Sequence, residues 1–225
     1  MSRALTFAMA AVCAALFAYT QYLIFYVAPL DRLLLFSQKI FNYPVPCAFM
    51  LFIAVITCGV ASLFYLKRRE GRFDDVAVAA GELSVLLGAI VLITGSIWGR
   101  AAWGVWWTWD ARLTSSLRLW MSMLAYVLVR KYGGPGSERI GAGLAVFAAI
   151  NIPLVYFSVR IWRTLHPKTS VVPTLSGDMR QALWLSVLLF AIFFVLLLRA
   201  RVATARAERR LHEVYERGLD EGILE

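Results

Sequence analysis

The sequence WGRAAWGVWWTWDARLTS, residues 98–115, lies between the third and fourth of six apolar segments in this chain. It contains five tryptophans within twelve residues, and Asp110 and Arg112 follow directly. Tryptophan collects where the apolar interior of a membrane meets water, so the stretch fits an aromatic belt. It equally fits one wall of a site for a flat, mostly apolar ligand whose polar edge is held by charged side chains. The rest of the chain has to decide between these interpretations.

The composition is that of a polytopic membrane protein. Of the 225 residues, 60% are hydrophobic and only 16% are charged, and the mean hydropathy is +0.69. Soluble domains carry roughly 25% charged residues. Lipid offers the backbone no hydrogen-bond partners, so the apolar segments are predicted to be helices. We therefore predict an all-α polytopic membrane helix bundle, a single integral membrane domain over residues 1–225, with six transmembrane helices at about 4–30, 43–66, 76–98, 113–129, 140–159 and 181–198.

Lysine and arginine indicate the orientation of the chain. The formal net charge is +9, and more of the basic residues fall in segments that are cytoplasmic if both termini lie inside. This N-in, C-in topology makes the tail 199–225 a solvated cytoplasmic helix and puts the tryptophan segment on the outer face. The basic residues are scattered between apolar runs, which favours contact with membrane lipid and argues against nucleic acid. Cys13, Cys47 and Cys58 lie inside apolar segments, so we expect packing residues and no disulfide framework.

The spacing of the tryptophans favours a ligand wall over a belt. Trp103, Trp106, Trp107 and Asp110 stand at i, i+3, i+4 and i+7, positions that share one face of a helix. We therefore expect a short, tryptophan-rich amphipathic helix on the outer surface between helices three and four. A belt requires rings only at the right depth, so a common face indicates a further purpose.

The outer loop 160–180 contains RIWRTLHPK, in which His166 stands among basic residues. A lone surface histidine is usually just solvated, but neutral imidazole is also a frequent ligand of haem iron. Haem b would use the tryptophan wall for its macrocycle, this imidazole for its iron and basic side chains for its propionates. We predict His166 as an axial ligand and propionate binding by a group of cations, which are Arg100, Arg112, Arg118, Arg163 and Lys168.

Two charged residues fall inside predicted spans. Arg118 lies about 9 Å below the outer edge, close enough to extend upward to the same site. Glu82 lies in the inner half of the third span, too deep to join an outer site. We expect Glu82 to form a structural pair between spans or a helix-packing hydrogen bond.

The segment WGVWWTWDARLTS (103–115) resembles the WWD motif of the tryptophan-rich haem-handling membrane proteins of cytochrome c maturation. With SVRIWRTLHP (158–167) after the fifth span, nearly the full chain is similar to the six-span haem exporter protein C (CcmC) family. This resemblance implies haem held at the periplasmic face of the bacterial inner membrane, with His166 as one of two axial ligands. It also implies a platform that binds haem and contacts a chaperone, formed by Trp98, Trp103, Trp106, Trp107, Trp109 and Asp110.

The same resemblance implies partners. Haem would pass to a membrane-anchored periplasmic haem chaperone, beside the ABC transporter subunits of the maturation complex and a small membrane subunit. One position departs from the family pattern, because Pro44 stands in IFNYPVP (40–46) where the family's first axial histidine is usual. Proline cannot ligate iron, so the opposite ligand is left open between Tyr43, Cys47, and water or a side chain from a partner.

Three functions compete at this point. The first is a haem-binding membrane subunit that presents haem to an acceptor. The second is a structural, permease-like subunit of an ABC-type haem export complex that does not itself ligate haem. The third, a synthase that attaches haem to cytochrome c, ranks last because relatives with that activity are larger and carry more histidines. The chain is expected not to be an enzyme, since it shows no acid–base pair, nucleophile or phosphate loop.

Overall fold

The computed structural model describes residues 3–167 and 169–221, and these form an all-α bundle. A π-helical turn, Leu23–Val27, extends the first helix, and 3₁₀ helices cover Phe36–Asn42 and Thr169–Thr174. The six α-helices are Arg3–Tyr22 (α1), Pro44–Arg68 (α2), Gly71–Trp103 (α3), Ala111–Tyr132 (α4), Ser137–Ile161 (α5) and Gly177–Asp220 (α6). The predicted fold class and the number of helices are thus confirmed.

Five helical segments in the described part of the chain are long and apolar enough to cross a membrane. They are Ala4–Val27, Phe36–Arg68, Gly71–Trp103, Ser137–Ile161 and Gly177–Asp220. Each contains most of a predicted span. The remaining helix, α4, contains the predicted span 113–129, and its 22 residues extend about 33 Å at 1.5 Å per residue. Because of its polar side chains, the most apolar stretch of α4 is less apolar than that of each of the other five segments.

Small residues hold the centre of the bundle together. A Cβ added to Gly59 in α2 would lie 2.6 Å from the Cβ of Ala149 in α5, and one on Gly81 in α3 would lie 2.3 Å from the Tyr126 ring of α4. Glycine therefore permits both close approaches, as is usual where membrane helices pack. The core around them includes four fully buried or nearly fully buried alanines, Ala54, Ala80, Ala145 and Ala148. Helices α2 and α3 thus form the centre, while α1 lies against α6.

The tryptophan segment differs from its prediction. Helix α3 continues to Trp103 and ends at Gly104, whose φ of +76° is the left-handed conformation that glycine adopts readily. Helix α4 begins after Asp110, whose carboxylate caps it by accepting from the N–H of Leu113 at 2.9 Å. Residues 104–110 are therefore not helical, and the expected amphipathic surface helix is not formed. These stop and start signals override the helical spacing of the tryptophans.

The opposite end of the bundle carries ion pairs between α3 and α6. Helix α6 has 44 residues, about 66 Å, and runs well beyond the predicted span end at 198. Arg201 donates two hydrogen bonds to the Glu82 carboxylate, one of them at 2.8 Å. Arg209 donates to Asp75, which is only 2% exposed, at 2.9 and 3.1 Å. The expected structural pair of Glu82 is confirmed, whereas the first turns of the tail are bound to α3 and are not freely solvated.

Candidate functional site

A cavity of about 470 Å³ lies between α2, α3, α4 and the loop after α5, within the size range of ligand sites. Its lining is mostly apolar and includes Phe41, Pro44 and Tyr156. Six of the predicted site residues line it together, namely Trp98, Trp103, Trp106, Trp107, Arg112 and His166. Residues distant in the sequence are thus brought to one cavity.

A chain of aromatic rings forms one wall. The ring centroids of Phe41 and Trp98 are 6.2 Å apart, those of Trp98 and Trp103 are 5.4 Å apart and nearly perpendicular, and Trp103 lies 6.4 Å from the His166 ring. Such edge-to-face distances are favourable for aromatic pairs. Trp98 and Trp103 are positioned by the last turns of α3, and the reversal at Gly104 brings the later tryptophans to the same cavity. The wall therefore exists without the expected surface helix.

His166 presents one free ring nitrogen. Its Nδ1 lies 2.9 Å from the carbonyl oxygen of Pro167, a contact that a neutral ring makes by donating Nδ1–H. This leaves the lone pair on Nε2 available as a ligand for a metal. Burial, reinforced by the positive charge of Arg112, lowers the pKa of His166 to about 4. The imidazole is therefore neutral near pH 7, the form that binds iron.

Asp110 holds the histidine loop to α4 and is not part of the cavity lining. Besides capping α4, its carboxylate accepts from the Thr164 hydroxyl at 2.5 Å and from the N–H of Leu165 at 3.3 Å. The Thr164 hydroxyl accepts in turn from the backbone N–H of His166 at 3.0 Å. Burial raises the pKa of Asp110, but these hydrogen bonds outweigh it and hold the pKa below its ordinary value. Thr164 was missed in the sequence, where nothing distinguishes it from other loop threonines.

Among the predicted cations that the structure describes, Arg112 alone lines the cavity. Its Nη1 donates to the carbonyl oxygen of Val155 at 2.6 Å, which fixes the side chain against the end of α5. The other guanidinium nitrogens remain available to an anionic group at the cavity edge. Lys168, also predicted to bind propionate, lies outside the described residues.

The other predicted cations are directed elsewhere. Arg100 donates to the carbonyl oxygen of Gly104 and so caps its own helix. Arg118 donates to the Asn151 side chain at 2.8 Å and joins α4 to α5. Arg163 is exposed and does not line the cavity. A propionate site built from these three is therefore not assembled in this conformation.

The remaining tryptophans divide into buried and exposed groups. The indole N–H groups of Trp98 and Trp107 are buried and have no acceptor within the described protein. Buried donors usually have a partner, so these two are available to a bound ligand. Trp109 packs edge-on against Trp107 with ring centroids 5.8 Å apart, yet it is 77% exposed and does not line the cavity. Trp106 both lines the cavity and is 59% exposed.

Only one strong iron ligand lines the cavity. Among the lining residues that the structure describes, His166 alone is a histidine, cysteine or methionine. Pro44 lines the wall formed by α2, whereas Cys47 is fully buried away from it. Tyr43 donates its hydroxyl to the side chain of Gln21 at 2.5 Å and is not part of the lining. Tyr156 is the one lining residue with a phenol oxygen, which the sequence did not single out.

Comparison with known proteins gives a consistent result. The family described as "Heme exporter protein C" matches residues 1–217. The chain is 36% identical over 163 residues to heme exporter protein C of Bradyrhizobium diazoefficiens, covering 72% of this chain and 62% of that protein. It is 32% identical over 176 residues to heme exporter protein C of Escherichia coli K12, covering 76% and 69% respectively.

A plant protein is similar over a larger share of both chains. This putative cytochrome c biosynthesis ccmC-like mitochondrial protein of Marchantia polymorpha is 32% identical over 184 residues, covering 82% of this chain and 79% of its own. These matches confirm the expected resemblance and the assignment to cytochrome c biogenesis. The family description names an exporter, which agrees with the expectation that the chain is not an enzyme.

Proposed function

The chain belongs to the haem exporter protein C family, and from this premise we propose that it binds haem b as cargo in the tryptophan-walled cavity. In this proposal the cavity lies on the periplasmic side of the bacterial inner membrane. The haem then passes to a membrane-anchored periplasmic haem chaperone. The ABC transporter subunits of the maturation complex and a small membrane subunit are the further proposed partners.

The observation that carries this proposal is the neutral imidazole of His166 at the edge of an apolar, tryptophan-lined cavity. Nε2 would bind the haem iron, and its orientation is fixed by the Nδ1 contact with the Pro167 carbonyl. The indole faces would pack on the macrocycle, which is flat and apolar. The two unpartnered indole donors and the free nitrogens of Arg112 suit the carboxylates at the haem edge.

The proposed topology has six spans with both termini in the cytoplasm. Helix α4 is assigned as a span in addition to the five more apolar segments. Its polar residues support this assignment, because they are paired with other helices of the same chain. Arg118 is hydrogen-bonded to Asn151 of α5, and Arg112 to the backbone of Val155. Polar groups inside a membrane are usually paired in this way. With α4 as a span, the chain crosses the membrane six times, so both termini lie on the same side, opposite the cavity.

The exposed tryptophans support a docking surface for the acceptor. Trp109 and Trp106 are 77% and 59% exposed, and Trp106 also lines the cavity. Aromatic residues are enriched where proteins bind one another. An acceptor that covers these two rings would therefore stand beside the mouth of the haem site.

A second candidate function is the structural, permease-like subunit that does not ligate haem. Pro44 favours it, because the wall formed by α2 provides no iron ligand. In that case the tryptophans would serve only as membrane belt and docking surface, and replacing His166 would change nothing in the spectrum of the protein.

The deciding experiment is the absorption spectrum of the full chain purified in mild detergent and titrated with haem. We expect a Soret band with saturable binding, lost or strongly weakened in His166→Ala. The matched control is His212→Ala, because His212 is the other histidine of the chain and is 73% exposed in the tail of α6. Unaltered binding in His166→Ala would refute the assignment of the ligand. Absence of binding in the unmodified chain would favour the structural candidate.

A further inference from the structure

Among the aromatic residues that line the cavity and are also exposed, one pair joins two helices. Phe49 of α2 and Trp184 of α6 line the cavity, and they are 41% and 50% exposed. Their rings are stacked on one another, with centroids 6.4 Å apart and planes 23° apart. This pair of rings therefore forms the part of the cavity wall between α2 and α6.

The surroundings at this depth are lipid. Phe49 lies five residues beyond Pro44, about 8 Å along α2, and Trp184 lies seven residues beyond Gly177, about 10 Å along α6. Both helices are apolar enough to cross a membrane. In the proposed orientation the two rings stand at equal depth in the outer leaflet, below the level of the headgroups.

Protein packs against other parts of the cavity. Deeper along α6, Leu189 and Phe194 are both 5% exposed, so this helix is packed into the bundle below the pair. Towards the water layer, the loop after α5 covers the cavity, since Pro167, Val172 and Pro173 belong to its lining. Between α2 and α6 the wall of the cavity is thus this stacked pair, which faces the bilayer in the proposed orientation.

We propose that Phe49 and Trp184 form a lateral portal through which haem enters the cavity directly from the outer leaflet of the membrane. This inference rests on the proposed function, because it takes haem as the ligand of the cavity. A planar, apolar molecule with carboxylates at one edge dissolves in a bilayer with that edge at the interface. It can then slide between α2 and α6 with its carboxylates turned towards Arg112 and the outer face. The two rings have to separate, and no helix has to unfold.

Rate measurements distinguish a portal from an ordinary wall. The full chain is reconstituted in phosphatidylcholine nanodiscs, and haem transfer from phosphatidylcholine vesicles is followed by stopped-flow absorption in both directions. Phe49→Ala and Trp184→Ala are compared with Ile53→Ala and Leu188→Ala, which lie about one turn deeper on the same helices. The control side chains are 45% and 50% exposed and do not line the cavity.

For a portal, association and dissociation of haem both become roughly two- to tenfold faster in Phe49→Ala and Trp184→Ala, as expected when one stacked pair is lost. The controls should keep the original rates, and Phe49→Trp, with a larger ring, should slow both directions. If only dissociation becomes faster, the rings are contact surface and the portal is refuted. Unchanged rates in both variants refute it as well, while binding itself, and with it the proposed function, still holds. If the unmodified chain binds no haem, the proposed function and the portal are both wrong.

Discussion

The contact between Asp110 and Thr164 allows a sharp test of how the histidine loop is held. Thr164→Val keeps the shape of the side chain but removes its oxygen. The change deletes the 2.5 Å hydrogen bond to the carboxylate and the 3.0 Å bond that this oxygen accepts from the N–H of His166. Asp110 keeps its bond from the Leu113 N–H, so α4 retains its cap. The variant therefore loosens the loop, which keeps only the 3.3 Å bond from the Leu165 N–H to Asp110, without disturbing the bundle.

The size of the effect follows from these two bonds. A hydrogen bond to a charged group stabilises by about 1.5–3 kcal/mol and a neutral one by about 0.5–1.5 kcal/mol. Because the site is partly exposed to water, we add the lower limits of the two ranges, which gives a loss of about 2 kcal/mol. That corresponds to a docking equilibrium weakened roughly 30-fold. The apparent haem affinity is reduced by the fraction of molecules with the loop docked, so Kd should rise about 5- to 30-fold.

The assay is a haem titration followed at the Soret band, with the thermal unfolding midpoint measured in parallel. Thr108→Val is the matched control, since the Thr108 hydroxyl donates to the same carboxylate oxygen at 3.3 Å but lies outside the histidine loop. It should change Kd by less than about twofold. Equal effects of the two variants, or an unchanged Kd in Thr164→Val, would show that this hydrogen bond does not position His166.

Two further predictions concern the iron ligands. Pro44→His should convert the haem spectrum to that of a six-coordinate, low-spin species and tighten binding, because the wall formed by α2 then offers a second imidazole. A spectrum identical to that of the unmodified chain would mean that position 44 does not face the iron. Haem affinity should be level from about pH 8 to pH 5 and decline as the pH falls through about 4, because burial and Arg112 lower the pKa of His166 from 6.5 to about 4. Because of the same shift, the unfolded chain binds more protons than the folded chain between pH 4 and pH 6.5. The contribution of His166 to the free energy of unfolding is therefore complete above about pH 6.5 and is lost as the pH falls towards 4. Haem titrations and denaturant unfolding from pH 3.5 to 8 test both statements, and a midpoint of haem release near 6.5 would contradict them.

The helices could be predicted because a membrane constrains the sequence strongly. A span needs about 20 apolar residues, so charges mark where each one stops. The ends were less accurate: α3 begins at Gly71 and ends at Trp103, five residues beyond the predicted span at each side. A helix continues into the water layer until something breaks it. Here the breakers are Arg69, with φ of 57°, and Gly104.

The structure brings six of the predicted site residues to one cavity, but the local geometry of the tryptophan segment differs from its prediction. Hydrophobic spacing suggested a helix for Trp103 to Asp110, and only the conformation of Gly104 and the cap by Asp110 decide against it. The contacts of long cations are hard to predict from the sequence. An arginine has several rotatable bonds and binds any carbonyl or amide within reach, so Arg100 and Arg118 took local partners that the sequence does not reveal.

A cavity that provides one strong ligand suits a protein that has to give its cargo away. When two protein ligands hold the iron, one of these bonds has to break before an acceptor can bind. If haem binds as proposed, with His166 on one side and Pro44 on the wall formed by α2, an acceptor's side chain would bind the iron first, while His166 still holds it. Exchange through such a shared intermediate avoids free haem in the membrane, and the exposed Trp106 and Trp109 mark where that acceptor would dock. Under this reasoning the proline gives up affinity in exchange for a faster transfer, which is why a histidine at position 44 should bind haem more tightly and deliver it more slowly.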